Sequence, residues 1–158
     1  MGSDSDSVTA EELRLLDAAR RVSARAHAPY SGVHVGAALL DSKGGIHTGC
    51  NVENVSFGLT ICAERAAVTR AVADGHRDFV AIAVHASTPE AFPPCGACRQ
   101  VLAEFTPRLR VVWQGQDAVP KSAALGELLG HMLTPEDLPS AAASKIDNAD
   151  DSKGETSR

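Results

Sequence analysis

The chain has 158 residues, 44% of them apolar and 22% charged, with four Phe, one Tyr and one Trp. That length matches one domain, which buries enough surface on folding to need no disulfide framework. The formal net charge of −5 opposes contact with long nucleic acids, and no apolar run approaches the ~20 residues that span a bilayer. The start, Met1-Gly2-Ser3-Asp4-Ser5-Asp6-Ser7, is polar and acidic, unlike a targeting leader. The expectation is a soluble, cytoplasmic protein with neither a nucleic-acid nor a membrane partner.

Residues 1–8 read as a flexible arm. Thr9 and Glu12 have the spacing of a capping box, and Leu15, Ala19, Val22 and Ala26 recur at helical spacing, so a helix is expected over about 10–27. Pro29-Tyr30-Ser31-Gly32 ends it. Val35–Leu40 and Ile46–Cys50 read as strands joined by the turn-rich Asp41-Ser42-Lys43-Gly44-Gly45, which suits a hairpin. Cys62–Ala73 is Ala-rich and helix-favouring, with Asp74-Gly75 as its stop. Phe79–His85 reads as a buried strand, Pro89–Pro94 as a loop, and Cys98–Phe105 as a helix. Leu109–Trp113 reads as a strand and Leu125–Leu129 as a last helical turn or two. This alternation predicts an α/β sandwich built on a mixed sheet. The domain is expected over 9–138. Segment 139–158 has one large apolar residue, Ile146, and is expected to be a disordered tail.

The four cysteines stand at Cys50, Cys62, Cys95 and Cys98. In a reducing compartment such a group points to metal binding or catalysis before disulfides. Cys95-Gly96-Ala97-Cys98 opens one expected helix and Cys62-Ala63-Glu64-Arg65 opens another. Two cysteines separated by two residues converge at a helix start, where the positive dipole end favours thiolates. Adding Cys62 gives three ligands and leaves a tetrahedral zinc one open position, the catalytic pattern; four protein ligands is the structural one. Cys50 decides between them. It alternates away from Asn51 and Glu53 on the strand end, so a place in the core is expected, with a closed four-cysteine zinc as the alternative. Glu64 alone would be a favourable charge at a helix N-terminus. Two positions after a metal ligand, it has the place of the proton-carrying carboxylate in zinc deaminases, where ligand-x-Glu is followed by Pro-Cys-x-x-Cys.

The chain resembles the small homotetrameric cytidine deaminases of pyrimidine salvage. The shared segments are Pro29-Tyr30-Ser31, Val35-Gly36-Ala37-Ala38-Leu39, Gly49-Cys50-Asn51-Val52-Glu53-Asn54, Cys62-Ala63-Glu64-Arg65 and Pro94-Cys95-Gly96-Ala97-Cys98-Arg99-Gln100-Val101. The resemblance implies a three-layer α/β/α sandwich with a mixed five-stranded sheet. It also implies one Zn2+ per subunit on Cys62, Cys95 and Cys98, and a homotetramer with active sites completed across subunits. Asn51 and Glu53 would hold the ribose, with Ala63 beside the nucleoside. In the implied reaction, zinc-activated hydroxide attacks C4 of cytidine or 2′-deoxycytidine and Glu64 shuttles protons. Arg65 would draw electron density from the sulfurs and restore the metal's acidity.

Two positions depart from the family pattern. Val33 stands where a Phe packs near the nucleoside, and Leu133, or else His131, stands where a Phe stacks on the base. Phe57 matches an aromatic position contributed across the interface. The loss of two rings predicts a looser base site that tolerates substituted cytidines. The competing functions are a blasticidin-S-type deaminase, which retention of Asn51-Val52-Glu53-Asn54 disfavours, and a non-catalytic zinc-stapled module, which has no need of Glu64. His34 and His131 read as ordinary imidazoles and Trp113 as core. His27, His47, His76 and His85 have no ligand spacing and are assigned no role.

Overall fold

The computed structural model of the protein describes residues 8–90, 92–134 and 137. Residues 1–7 of the expected arm and the expected tail at 139–158 lie outside those described. Thr9 caps helix α1 (Ala10–Ser23): its hydroxyl accepts from the Glu12 N–H at 3.2 Å, while the Glu12 carboxylate accepts from the Thr9 N–H at 2.7 Å. Helix α1 stops at Ser23 rather than near residue 27 because the chain after it is drawn into other pairing. His27 N–H donates to the Asn51 carbonyl at 3.0 Å, and Glu53 N–H donates to the His27 carbonyl at 2.7 Å. Pro29 also disfavours helical backbone at Ala28.

Strands β1 (Val35–Asp41) and β2 (Ile46–Cys50) form the expected antiparallel hairpin. Helix α2 (Ala63–Ala73) has Cys62 as its N-cap, and Gly75, with φ 87°, follows its C-cap Asp74. Strand β3 (Phe79–Ala86) precedes helix α3 (Gly96–Ala103). Helix α3 starts two residues before the expected Cys98 because Cys95 is its N-cap. Strand β4 (Arg110–Gln114) is followed by β5 (Lys121–Ala124) and a short helix, α4 (Leu125–Leu128). The sheet order is β2-β1-β3-β4-β5; β3 and β4 are parallel and the other neighbours antiparallel. The periodicity showed only four strands. Lys-Ser-Ala-Ala has no apolar alternation, and β5 exists through its pairing with β4.

Two glycines set the thickness of the layers. A Cβ on Gly36 would lie 2.0 Å from the Ala19 carbonyl oxygen, so α1 crosses this face of β1 in backbone contact. A Cβ on Gly49 would lie 2.3 Å from the Ala67 nitrogen and 2.6 Å from the Ala63 oxygen, so α2 lies equally close on the other face. Leu15, Leu16 and Ala19 of α1 pack on Ala38, Leu40, Ala83 and Val112. On the opposite face Ala37, Leu39, Ile82, Val84, Val111 and Trp113 pack on α2 and α3. The protein is a three-layer α/β/α sandwich with a mixed five-stranded sheet, as expected, and Trp113 belongs to its core. No helix among the described residues is long and apolar enough to cross a membrane.

Glu12 ties the α1 layer to the sheet, accepting from Arg110 Nε of β4 at 2.8 Å. Burial raises its pKa, but hydrogen bonds from the Thr9 backbone and Arg110 outweigh burial and leave the carboxyl below 4.5. A depressed folded pKa contributes stability above the unfolded value and loses it as pH falls through the folded one. The Glu12→Gln variant is therefore expected to lose part of the decline in urea midpoint that wild type shows below about pH 4.5. An identical decline in both proteins would show that Glu12 is not a source of it. Replacing Gly36 by Ala forces backbone apart and is expected to cost about 1–3 kcal/mol in urea unfolding. A Cβ on Gly58 meets nothing within 4 Å, so Gly58→Ala is expected to stay within about 0.5 kcal/mol of wild type.

Candidate active site and metal centre

The site lies where β2 ends and α2 begins. Between them residues 51–62 double back: Val52 and Ile61 exchange backbone hydrogen bonds at 2.9 and 3.0 Å, which returns Cys62 to the side of Asn51. Asn51 braces the start of β1. Its Oδ1 accepts from the Val35 N–H at 2.8 Å and its Nδ2 donates to the Val33 carbonyl at 2.9 Å. The amide still has one N–H and one lone pair for a ligand. Glu53 is held by the neighbouring loop, accepting from the Tyr30 N–H at 2.8 Å, the Ser31 N–H at 3.3 Å and the Ser31 hydroxyl. The Ser31 hydroxyl and the Tyr30 amide keep its carboxyl below the ordinary range, so it is ionised near neutral pH.

Cys62 caps α2, Cys95 caps α3, and Cys98 lies buried in the first turn of α3. The three sulfurs lie within 4.8 Å of one another. A tetrahedral zinc with Zn–S bonds of about 2.3 Å holds its sulfurs about 3.8 Å apart, so this set fits the ion. The Cys62 thiol is lowered to about 5, chiefly by the hydrogen bond it shares with Cys98, with Arg65 adding to the effect; the Cys98 thiol is correspondingly raised. Cys50 stands apart. It pairs in register with Gly36, which faces α1, whereas the thiol cluster is on the α2 and α3 side. Cys50 is half-buried there rather than fully in the core, and among the described residues it is not one of the clustered thiols.

Arg65 Nη2 lies 3.0 Å from the Thr60 carbonyl oxygen and 3.5 Å from Cys62 Sγ. This places a positive charge on the sulfur, the contact needed for tuning a thiolate-rich centre. Arg99 anchors the other cysteine loop. Its Nε donates to the Pro94 carbonyl at 2.7 Å and its Nη1 to the Leu128 carbonyl at 2.6 Å.

A cavity of about 190 Å³ opens over the thiols, lined by Val35, Asn51, Thr60, Ala63, Glu64 and Phe92 together with Cys62 and Cys95. Glu64 is 5% exposed; burial, reinforced by the Cys62 charge, raises its carboxyl pKa toward the range where it can hold a proton. A second cavity, of about 300 Å³, is lined by Tyr30, Ser31, Glu53, Phe57 and Thr60. Thr60 lines both, so the two adjoin. Phe57 is exposed and meets Tyr30 edge-on, ring centroids 5.6 Å apart.

The remaining expected site residues are placed differently. Val33 contributes its carbonyl to Asn51, and the side chain lining the inner cavity from this segment is Val35. Leu133 is exposed, its backbone held by both ends of the Gln100 amide at 2.8 and 3.1 Å, and it is not among the residues lining either cavity. Phe92 went unrecognised in the sequence because the Pro-rich stretch around it reads only as a loop. Its large apolar ring two residues before the Pro94-Cys95 motif was the available signal.

A family model described as "Cytidine and deoxycytidylate deaminase zinc-binding region" matches residues 9–114. The chain is 48% identical over 114 residues to a cytidine deaminase of Halalkalibacterium halodurans, covering 72% of this chain and 86% of that one. It is 46% identical over 130 residues to a probable cytidine deaminase of Dictyostelium discoideum, covering 81% and 88%. The cytidine deaminase structure from Burkholderia pseudomallei aligns with a TM-score of 0.75 at 43% identity, covering 80% of this chain and 100% of that one. The matched zinc-binding region and the cysteine cluster both fit one Zn2+. The chain belongs to the cytidine and deoxycytidylate deaminase zinc-binding family.

Proposed function

We propose that the domain over residues 9–138 catalyses the hydrolytic deamination of cytidine and 2′-deoxycytidine to uridine or 2′-deoxyuridine and ammonia. The observation that carries this reading is the sharing of one cavity by Cys62 and Cys95 with the buried Glu64 and Asn51. The cytidine deaminases to which the chain is similar support the choice of substrate. Zinc held by Cys62, Cys95 and Cys98 supplies the Lewis acidity that makes water a nucleophile near neutral pH. Glu64 takes the proton that the attacking water gives up and passes it to N3 of the base, leaving C4 electrophilic. Once the C4–O bond has formed, Glu64 carries the second water proton to the amino group, and the C4–N bond breaks to release ammonia. Arg65, against Cys62 Sγ, offsets the thiolate charge.

The adjoining outer cavity takes the sugar. Glu53, ionised and lined up by Ser31, accepts from ribose hydroxyls, and Asn51 adds its spare donor and acceptor. Ala63 lies beside the nucleoside at the cavity wall, and Phe92 is the aromatic surface for the base. Exposed Phe57 and Leu133 serve sites in a homotetramer, each facing a neighbouring subunit. With Val33 not among the residues lining the inner cavity, the base site is open enough for substituted cytidines. The enzyme works in the cytoplasm.

The deciding assay follows loss of ultraviolet absorbance when the zinc-loaded protein meets cytidine, 2′-deoxycytidine, blasticidin S or a cytosine oligonucleotide. Turnover of the first two alone is expected; turnover of blasticidin S in preference to them would replace this reading with that of an antibiotic deaminase. Glu64→Gln is expected to keep its zinc and lose about 10²–10⁴-fold in kcat, and near-normal turnover would refute the proton-shuttle role. For Arg65→Ala the expected outcome is lower turnover with a displaced pH–rate profile; if neither moves, the tuning role fails. Phe92→Ala is expected to raise KM for cytidine about tenfold, the loss of about 1.4 kcal/mol of binding.

A further inference from the structure

Beyond the far end of α2 lies a second convergence of ligand-type side chains. Asp41 ends β1, His47 lies on β2, and His76 follows the α2 stop at Asp74-Gly75. His47 Nε2 lies 2.9 Å and His76 Nδ1 2.7 Å from the same atom, Asp41 Oδ2. The two rings stand with centroids 4.6 Å apart, and ligand atoms of all three residues lie within 4.8 Å of one another. Asp41 and His47 are buried, 3% and 8% exposed. The other carboxylate oxygen is occupied: Asp41 Oδ1 accepts from the Lys43 and Gly45 N–H groups, each at 2.8 Å. Oδ2 is therefore aimed at the two imidazoles by the hairpin turn itself.

We propose that Asp41, His47 and His76 form a second metal site, which takes a divalent transition ion through two imidazole nitrogens and one carboxylate oxygen. Two imidazoles and a carboxylate suit Zn2+, Co2+ or Fe2+ rather than Ca2+ or Mg2+. Cis ligand atoms at about 2.1 Å from a six-coordinate ion lie about 3.0 Å apart, so the two imidazole-to-carboxylate separations of 2.9 and 2.7 Å need to open by only a few tenths of an ångström. Without metal, His47 Nε2–H and His76 Nδ1–H donate to Oδ2. With metal, those nitrogens present lone pairs and the protons move to the opposite ring nitrogens. On His47 that nitrogen, Nδ1, faces the Asp74 carboxylate at 3.9 Å, which favours a proton there, as outer carboxylates do for metal-bound histidines. A cleft of about 60 Å³ beside Asp41 and His76, lined also by Ser42, Lys43, Arg77 and Asp78, leaves room for water to complete the coordination. The site is separate from the thiol centre, since the 11 residues of α2 put roughly 16 Å between the helix ends. Its effect is structural: it clamps the β1–β2 hairpin to the end of α2.

The test is a Co2+ titration of the metal-stripped full-length chain, read by absorbance and by thermal unfolding. Wild type is expected to take two equivalents. One develops the sulfur-to-cobalt charge-transfer band of the thiol centre, and the other adds no such band and raises the melting temperature. His76→Gln, which changes the most exposed of the three ligands, is expected to take one equivalent, keep the charge-transfer band and keep its cytidine turnover. Saturation of wild type at one equivalent would overturn the proposal. So would a second equivalent that persists unchanged in both His76→Gln and His47→Gln. The charge-transfer band reports the thiol centre alone, so failure of the catalytic reading and failure of this one appear in different signals.

Discussion

The backbone contact between α2 and Gly49 is the constraint from which the site follows. With no side chain at Gly49, the first turns of α2 lie directly on the end of β2. That contact sets Cys62, Ala63 and Glu64 beside Asn51, only as far apart as the doubled-back loop 51–62 allows. A Cβ at Gly49, 2.3 Å from the Ala67 nitrogen, would force α2 outward by about an ångström and separate Asn51 from Glu64. Gly36 does the same for α1 on the other face, and the sheet between them is held in a narrow gap. Catalytic geometry in such a fold depends on how closely helices approach the sheet, which small residues permit and large ones forbid.

Within that frame, the two helix starts divide the work. Both α2 and α3 open on a cysteine N-cap, so their unpaired N–H groups and positive dipole ends converge on one cluster of sulfurs. That environment lowers the Cys62 thiol, where Arg65 reinforces it, while the thiol of Cys98 beside it is raised. Glu64, one residue into α2, lies at the same end but is buried, so its charge is disfavoured where that of Cys62 is favoured. Neighbouring groups with opposite tendencies are what acid–base chemistry requires.

The cysteine cluster and the Glu64 carboxylate beside it were legible because their signal is local. Cys-x-x-Cys and Cys-x-Glu are spacings that a helix start converts directly into proximity. The hairpin and the first capping box were legible for the same reason, as turn and cap chemistry acts over a few residues. Where the reading was off, a distant partner had intervened. Helix α1 ends early because His27 pairs with residues after β2. Strand β5 forms because β4 offers it an open edge, not because Lys-Ser-Ala-Ala favours a strand. Phe92 and Val35 reach the inner cavity while Val33 does not, a matter of side-chain direction that no motif contains.

His47 and His76 are separated along the chain by all of α2 and the loop before it, and nothing in their spacing joins them. They meet at Asp41 only because the hairpin and the end of α2 are brought to one place. By itself the sequence determined the cysteine cluster, the carboxylate beside it and the alternation of helices with strands. These rest on short-range backbone geometry, which neighbouring residues control. The tertiary structure alone decided which face Cys50 occupies, which rings line the cavity and that Asp41 gathers two imidazoles, because each depends on packing between segments far apart in the chain.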